Sequence, residues 1–373
     1  MEYVNLGDVA TYINGYAFKP EHRGKKGLPI IRIQDLNGNS HDLAFFDGKY
    51  PEQVEINTGD ILISWSGSLG VYKWNKGKAL LNQHIFKVIF NKIEIDKEYF
   101  CYAIRNSLSS MSQQTHGATM KHITKKDFDN ISIPYPDLIE QKKIANNLNI
   151  VNKLIMFYEK ELILFEQMVK ARFVEMFGEP VNNPKKFEKR SLKDTCKIVT
   201  GNTPSRAVEE YYGDFVEWIK TDNIISGEIN PTRAVEYLSE EGMKVGRVVE
   251  EDAILMACIA GSIASIGRVC VTDRTVAFNQ QINAIVPYDY NQLFLYVLLQ
   301  ISKDYLIEDV SMALKGILSK SKLEEKEFVV PPIELQNQCA DFVRQVDKSR
   351  EAVKKSLEKT QQLYDSLMQE YFG

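Results

Sequence analysis

The sequence is first defined by what it lacks. It has no run of about 18 apolar residues that could cross a bilayer. Its opening, MEYVNLGDVA, has no basic-then-apolar signal pattern, so the expectation is a cytoplasmic protein with no membrane contact. The five cysteines, Cys101, Cys196, Cys258, Cys270 and Cys339, form no CxxC pair and no zinc spacing, which predicts reduced thiols and no metal. There is no GxxxxGK[ST] phosphate loop, no GxGxxG turn after a strand and no prolyl-prolyl-aromatic amino-methyltransferase motif. The five histidines (His22, His41, His84, His116, His122) make no HExxH and no Ser-His-Asp order. Pro136, Asp137, Glu140 and Lys142 superficially resemble a nuclease set. They share one helical turn at a cap, however, and read as a helix start. No catalytic residue is expected. A net charge of −4 also argues against a uniformly basic nucleic-acid binder.

What is present is a repeat. From Pro136 to Gly178, mostly apolar residues at Ile144, Leu148, Val151, Ile155, Tyr158, Leu162, Phe165 and Val169 follow a 4-3-4-3 spacing, the signature of a long helix with one narrow stripe. Asp137 is placed to cap it, with Glu140 three residues on reaching back. A shift of 195 residues (373 − 178) lands on Pro331 to Gly373. The same slots then hold Cys339, Val343, Val346, Arg350, Val353, Leu357, Thr360 and Tyr364. Arg350 and Thr360 interrupt the stripe. A polar residue in such a slot lowers stability and sets register, so these two are expected to align the helices.

Upstream of each helix lies a mixed segment. In the first copy, strands are expected over Leu28 to Asp35, Ile61 to Trp65, Val71 to Trp74 and Ala79 to Ile89, with a helix from Asp96 to about Leu108 and a polar loop over Thr115 to Lys126. In the second copy, Ser191 to Gly201 answers Val4 to Gly15, Val216 to Asp222 answers Pro29 to Asp35, and Glu251 to Arg268 answers the hairpin from Gly59. Phe278-Asn-Gln-Gln281 answers Leu81-Asn-Gln-His84. The offset drifts through 186 (201 − 15), 192 (251 − 59) and 197 (279 − 82), so insertions lie in the heads while the helices keep their length.

These motifs, in this order and repeated, resemble the specificity subunits of type I restriction-modification systems. The resemblance rests on Gly201-Asn-Thr-Pro-Ser205, Glu210-Tyr-Tyr-Gly213, Trp218-Ile219 and Asp222-Asn-Ile224. Their first-copy counterparts are Asn14 to Phe18 and Pro29 to Leu36; Gly59 to Ser64 with Ser66-Gly-Ser68, and Ile133 to Gln141 leading into the helix, complete the set. It implies an α+β protein in which two mixed α/β target-recognition domains stand in tandem, each followed by a long helix. The helices would pack as an antiparallel coiled coil with pseudo-twofold symmetry. The boundaries would be 1–135, a spacer helix 136–178, 179–330, and a second spacer helix 331–373. About 38 helical residues span roughly 57 Å, enough to hold two heads in grooves one duplex turn, roughly 34 Å, apart.

The resemblance further implies a non-catalytic reader of a bipartite, asymmetric duplex DNA target that docks two methyltransferase subunits, with restriction or translocase subunits in the full complex. S-adenosylmethionine, ATP and Mg would belong to those partners. Two other readings stay open: a structural coiled-coil scaffold with no DNA role, and a self-sufficient restriction enzyme. The coiled-coil residues are Ile144, Leu148, Val151, Ile155, Leu162, Val169, Val343, Val346, Arg350, Val353, Leu357 and Tyr364. DNA contacts are expected from loop residues able to neutralise phosphates or bond base edges. In the first head these are Lys19, Arg23, Lys25, Ser66, Ser68, Lys73, His116, Lys121 and His122. In the second they are Thr203, Ser205, Arg206, Lys220, Ser262, Ser265, Arg268 and Lys315. The aromatics Trp65, Tyr72, Trp74 and Trp218 are read as core.

Overall fold

A computed structural model describes residues 2–39, 42–114 (side chains through 109), 124–308, 310 and 316–373. The chain divides into two compact units, the first comprising 1–157 with 357–373 and the second 158–356.

In the first unit an antiparallel sheet has the order Thr11–Asn14, Ile85–Ile89, Ile61–Ser64, Gly70–Lys73. The inward residues of this sheet share one core with Tyr99, Phe100, Ala103 and Ile104 on the helix Lys97–Gln114. That helix begins where Asp96 Oδ1 accepts the Tyr99 N–H at 2.9 Å. A second sheet has the order Phe45–Phe46, Leu28–Ile31, Ala79–Leu81, Glu55–Ile56, its central pair parallel. The single strand expected over 79–89 is thus two strands in different sheets. Asn82 N–H donates to Ile31 O and Gln83 N–H to Tyr16 O, and His84 then takes φ +74°, which turns the chain into the antiparallel sheet.

The second unit repeats this plan. Its antiparallel sheet runs Cys196–Thr200, Ile282–Pro287, Ile254–Ala257, Val269–Val271. Its mixed sheet runs Tyr212–Gly213, Tyr237–Leu238, Val216–Ile219, Val276–Phe278, Val248–Val249, again with a parallel centre. A short ladder, Ile259–Ala260 with Gly316–Ile317, is added.

The ladders correct the sequence registration of the copies. Ile30 pairs with Leu80 and Trp218 with Ala277, so Trp218 answers Ile30 and Asn223 answers Asp35. The motif spacing, which aligns Asp222 with Asp35, is thus one residue out. Likewise Ser64 faces Ile85 and Ala257 faces Ile282, which matches Gly59 with Asp252 rather than Glu251. Gly59 and Asp252 both have positive φ, +98° and +67°. A one-residue slip would turn every strand side chain to the wrong face, so burial selects this register.

The long helices are Leu138–Phe177 and Ile333–Phe372, forty residues each. Asp137 Oδ1 accepts the Glu140 N–H at 2.9 Å, as expected of the cap. Glu140 itself turns to Lys143, and the residue reaching back is the fully buried Gln141, whose Nε2 donates to Pro136 O at 2.8 Å. Gln141 Oε1 accepts the Asp96 N–H at 2.9 Å, tying the helix start to the head. Gln336 repeats this on Pro331 O and Asn291 N–H, at 2.8 and 2.9 Å. Gly178, at φ +76°, ends the first helix.

In the first unit, Ile144, Ala145 and Leu148 from the start of one long helix share a core with Tyr364, Leu367, Met368 and Phe372 from the end of the other. In the second unit, Val169, Phe173 and Phe177 share a core with Cys339, Ala340 and Val343. Within each unit the helices therefore run antiparallel. The stripe is buried at Ile144, Leu148, Val151, Ile155, Val343, Val346 and Arg350, and half-buried at Leu162, Val169, Val353, Leu357 and Tyr364. Phe173 and Phe177, beyond the stripe as first read, are fully buried, and Phe177 meets Phe294 edge-on at 4.9 Å. Each such ring contributes about 2 kcal/mol by leaving water. Among the described residues no helix is long and apolar enough to cross a membrane.

Candidate nucleic-acid interface

In both units one end of the sheet pair gathers three loops. The first is a glycine crossing. Gly15 and Gly201 donate their N–H to Ile85 O and Ile282 O, each at 3.0 Å. A Cβ on either would lie 2.0 or 2.1 Å from the carbonyl oxygen of Asn82 or Asn279, so only glycine lets the backbones approach. The second consists of the segments leaving the parallel strands, Arg32 with Asn82 and Lys220 with Asn279. The third is the hairpin turn, held against the same place by Trp65 N–H to His84 O and by Cys258 N–H to Gln281 O, 3.2 and 2.8 Å.

In the second unit this end is organised around aromatic rings. The Arg206 guanidinium lies 4.4 Å from the Tyr212 ring centroid and 5.1 Å from that of Trp218, while Lys220 Nζ lies 5.1 Å over Trp218. Glu236 bonds both cations, and those bonds, from Lys220 first and then Arg206, hold its carboxyl below the usual range. Arg268 donates from Nε to Ser265 O and from Nη2 to Thr221 O, each at 3.3 Å, and the Ser262 and Ser265 hydroxyls are 3.0 Å apart. Thr203 bonds Gln280. Thr203, Arg206, Lys220, Ser262, Ser265 and Arg268 thus belong to one end, and Ser205 is exposed beside Arg206.

In the first unit Tyr16, Phe18, His22 and Phe46 form an aromatic cluster, with Tyr16 and Phe18 edge-on at 5.0 Å and Phe18 and Phe46 at 5.3 Å. Lys19, Arg23 and Lys25 are exposed around it, and Gly24 N–H anchors their segment to Phe45 O at 2.8 Å. Trp65 Nε1 donates to Asn14 Oδ1 at 3.3 Å, which brings the turn of Ser66 and Ser68 to the same end. Lys73 is not there. It faces Ile61 at the opposite end of the hairpin and is paired with Glu98. His116, Lys121, His122 and Lys315 lie outside the described residues.

Two charged groups escaped the sequence reading. Arg32 is the counterpart of Lys220: both backbone N–H groups donate to the residue three on, Asp35 at 2.8 Å and Asn223 at 3.0 Å. The off-by-one registration had hidden it. Glu236 sits in a segment without a recognisable motif. Trp74 and Trp218 are core, at 5% and 3% exposure, whereas Trp65 and Tyr72 are half-buried. All five cysteines are buried free thiols, and burial pushes Cys101, Cys196, Cys258 and Cys270 up to about 12.

A duplicated head of two sheets, each copy followed by a long helix, defines a class of tandem-repeat α+β proteins. The type I restriction modification DNA specificity domain family matches residues 1–164 and 184–362, and the chain belongs to it. The EcoBI specificity subunit of Escherichia coli is 24% identical over 409 residues, covering 99% of this chain and 85% of that one. The MjaVIII specificity subunit of Methanocaldococcus jannaschii is 24% identical over 393 residues, with 98% and 91% covered. The fold also matches the S subunit of a type I restriction-modification system from M. genitalium, with a TM-score of 0.61 at 15% identity and 100% and 96% coverage.

Proposed function

We propose that this chain is the DNA-recognition subunit of a type I restriction-modification complex and reads a bipartite, asymmetric duplex target, one half-site per unit. One observation carries the reading: two units share strand order, glycine crossing and glutamine anchor, yet end in different polar loops. A common scaffold with diverged tips is what two unlike half-sites require. The DNA-facing residues are Lys19, Arg23, Lys25, Ser66 and Ser68 with Arg32, and Thr203, Ser205, Arg206, Lys220, Ser262, Ser265 and Arg268. Cations there neutralise phosphates, and the arginines and hydroxyls can bond base edges.

The chain contributes recognition and no chemistry. Two methyltransferase subunits dock beside the long helices, and S-adenosylmethionine, ATP and Mg belong to the partner subunits. The helix surface offers apolar side chains for docking, Ile150, Leu154 and Phe157 in the first unit and Ile163, Leu164 and Met168 in the second, all exposed. The domain boundaries at 135/136, 178/179 and 330/331 form part of the same proposal.

The test is genome-wide mapping of modified bases in cells expressing this chain with its partner methyltransferase, against cells lacking only this chain. A two-part motif with a fixed gap that disappears on deletion is the expected result. Methylation independent of the chain overturns the reading.

A further inference from the structure

The second unit contains a cavity of about 300 Å3 bounded by the helix Gln292–Ile301, both long helices and the loops at Gly227 and Gly267. Ligand sites for small molecules begin at about this size. Its origin is legible in the repeat. The wall residues Val297 and Val169 occupy the positions of Tyr102 and Tyr364 in the first unit (297 − 195 and 364 − 195). There the two rings lie 6.5 Å apart and the Tyr102 hydroxyl donates to Asn149 Oδ1 at 2.8 Å. Two tyrosines fill in one unit what two valines leave open in the other.

The cavity is furnished with charge. Arg350 stands where the first long helix has Ile155 (350 − 195), and is only 9% exposed. Its Nη2 meets Asp347 at 2.9 Å and Glu228 at 3.7 Å, while its buried Nε has no hydrogen-bond partner among the described residues. Burying such a donor unpaired costs about 1–3 kcal/mol, more when it is charged. In the lining, Lys303 Nζ and Arg268 donate, among the described residues, only to backbone carbonyls, Ala264 O at 2.6 Å and Ser265 O and Thr221 O at 3.3 Å. Neither has a carboxylate within ion-pair distance among the described residues. Burial, and then the neighbouring Arg268, push Lys303 below its ordinary value, with Asp304 acting more weakly against them. Lys170 is a further cation of the lining, and Glu166 and Asp347 are its carboxylates. The remaining wall is apolar: Phe165, Val169, Ile229, Val297, Ile301 and Val346.

We propose that this cavity is a binding site for a small organic anion, with an aromatic or aliphatic body against the valines and a phosphate or carboxylate held by Lys303 and Arg268, the Arg350 guanidinium forming part of the wall. The site shares Arg268 with the DNA-facing loops, but it predicts saturable binding without DNA, so its failure and the failure of the DNA-reading role are distinguishable. It also gives Arg350 a use other than helix alignment: its guanidinium turns to the cavity and to the Gly227–Glu228 loop of its own unit.

The test is calorimetric titration of the full chain with 1-naphthyl phosphate, with inorganic phosphate and 1-naphthol as controls. One saturable site is expected, with each control weaker by about tenfold or more. Val297→Tyr, which supplies the ring found in the first unit, should abolish binding. Lys303→Gln should weaken it by about tenfold. Melting curves of both variants identify any that fail to fold. Absence of saturable binding, equal affinity for the folded Val297→Tyr variant, or insensitivity to Lys303→Gln would each overturn the proposal. Binding of inorganic phosphate as tight as that of naphthyl phosphate would overturn the role of the apolar wall.

Discussion

The two units carry one architecture with different charge interiors. In the second, Glu217 is 7% exposed on the central strand of the mixed sheet, bonded by Arg274 at 2.8 and 2.9 Å, by Arg233 at 2.6 Å and by the Ala234 N–H at 2.9 Å. The ladders make Pro29 its equivalent in the first unit, where no such network can form. The scaffold therefore tolerates an ionic core or an apolar one at the same position, because the strand pairing and the glycine crossing set the shape. Side chains between them are free to diverge.

The sharpest way to break the common part is at the crossing. Gly201→Ala and Gly15→Ala each force a Cβ against a carbonyl and should cost about 4 kcal/mol, read by chemical unfolding. A cost in one unit only would mean the crossings are not equivalent. Next, Glu217→Gln should destabilise the second unit by about 3 kcal/mol, since it leaves two arginines around a neutral group. Burial alone would raise the Glu217 carboxyl, but bonds from Arg274, Ala234 N–H and Arg233 outweigh it and hold the group at about 2. The folded value lies below the ordinary one, so its stabilisation is full above the unfolded pKa and is lost as pH falls from about 4.5 toward 2. Hydrogen exchange should show the strand Val216–Ile219 loosening in that window before Leu28–Ile31 does.

Gln141→Ala and Gln336→Ala should each cost about 2 kcal/mol, by orphaning a buried N–H and loosening one head from its helix. Matching losses in thermal melts would confirm the shared anchor. On DNA, Lys220→Gln should weaken binding uniformly across sequences and reduce the salt slope by about 1, whereas Arg206→Gln should relax one position of one half-site. The smallest effect belongs to Lys73→Gln. Lys73 lies opposite Ile61 at the far end of the hairpin, away from the DNA-facing loops, so DNA affinity should stay within about 0.5 kcal/mol.

The sequence by itself determined the duplication, the two long helices, the capping aspartate and the pairing of Gly15 with Gly201 and Asn82 with Asn279. Heptad spacing and glycine requirements act locally, so they remain visible along the chain. The tertiary structure decided the rest. Only the ladders make Asn223 the equivalent of Asp35, because strand register depends on which face is buried against the neighbouring sheet. Only packing sends Lys73 away from Ser66 and gathers Arg206, Lys220 and Glu236 beside Trp218, although Glu236 lies 16 residues from Lys220 and 30 from Arg206 and shares no motif with them. The cavity, too, is invisible to spacing. It exists because residues from both long helices and one head meet in space, and two valines there are smaller than the tyrosines of the other unit.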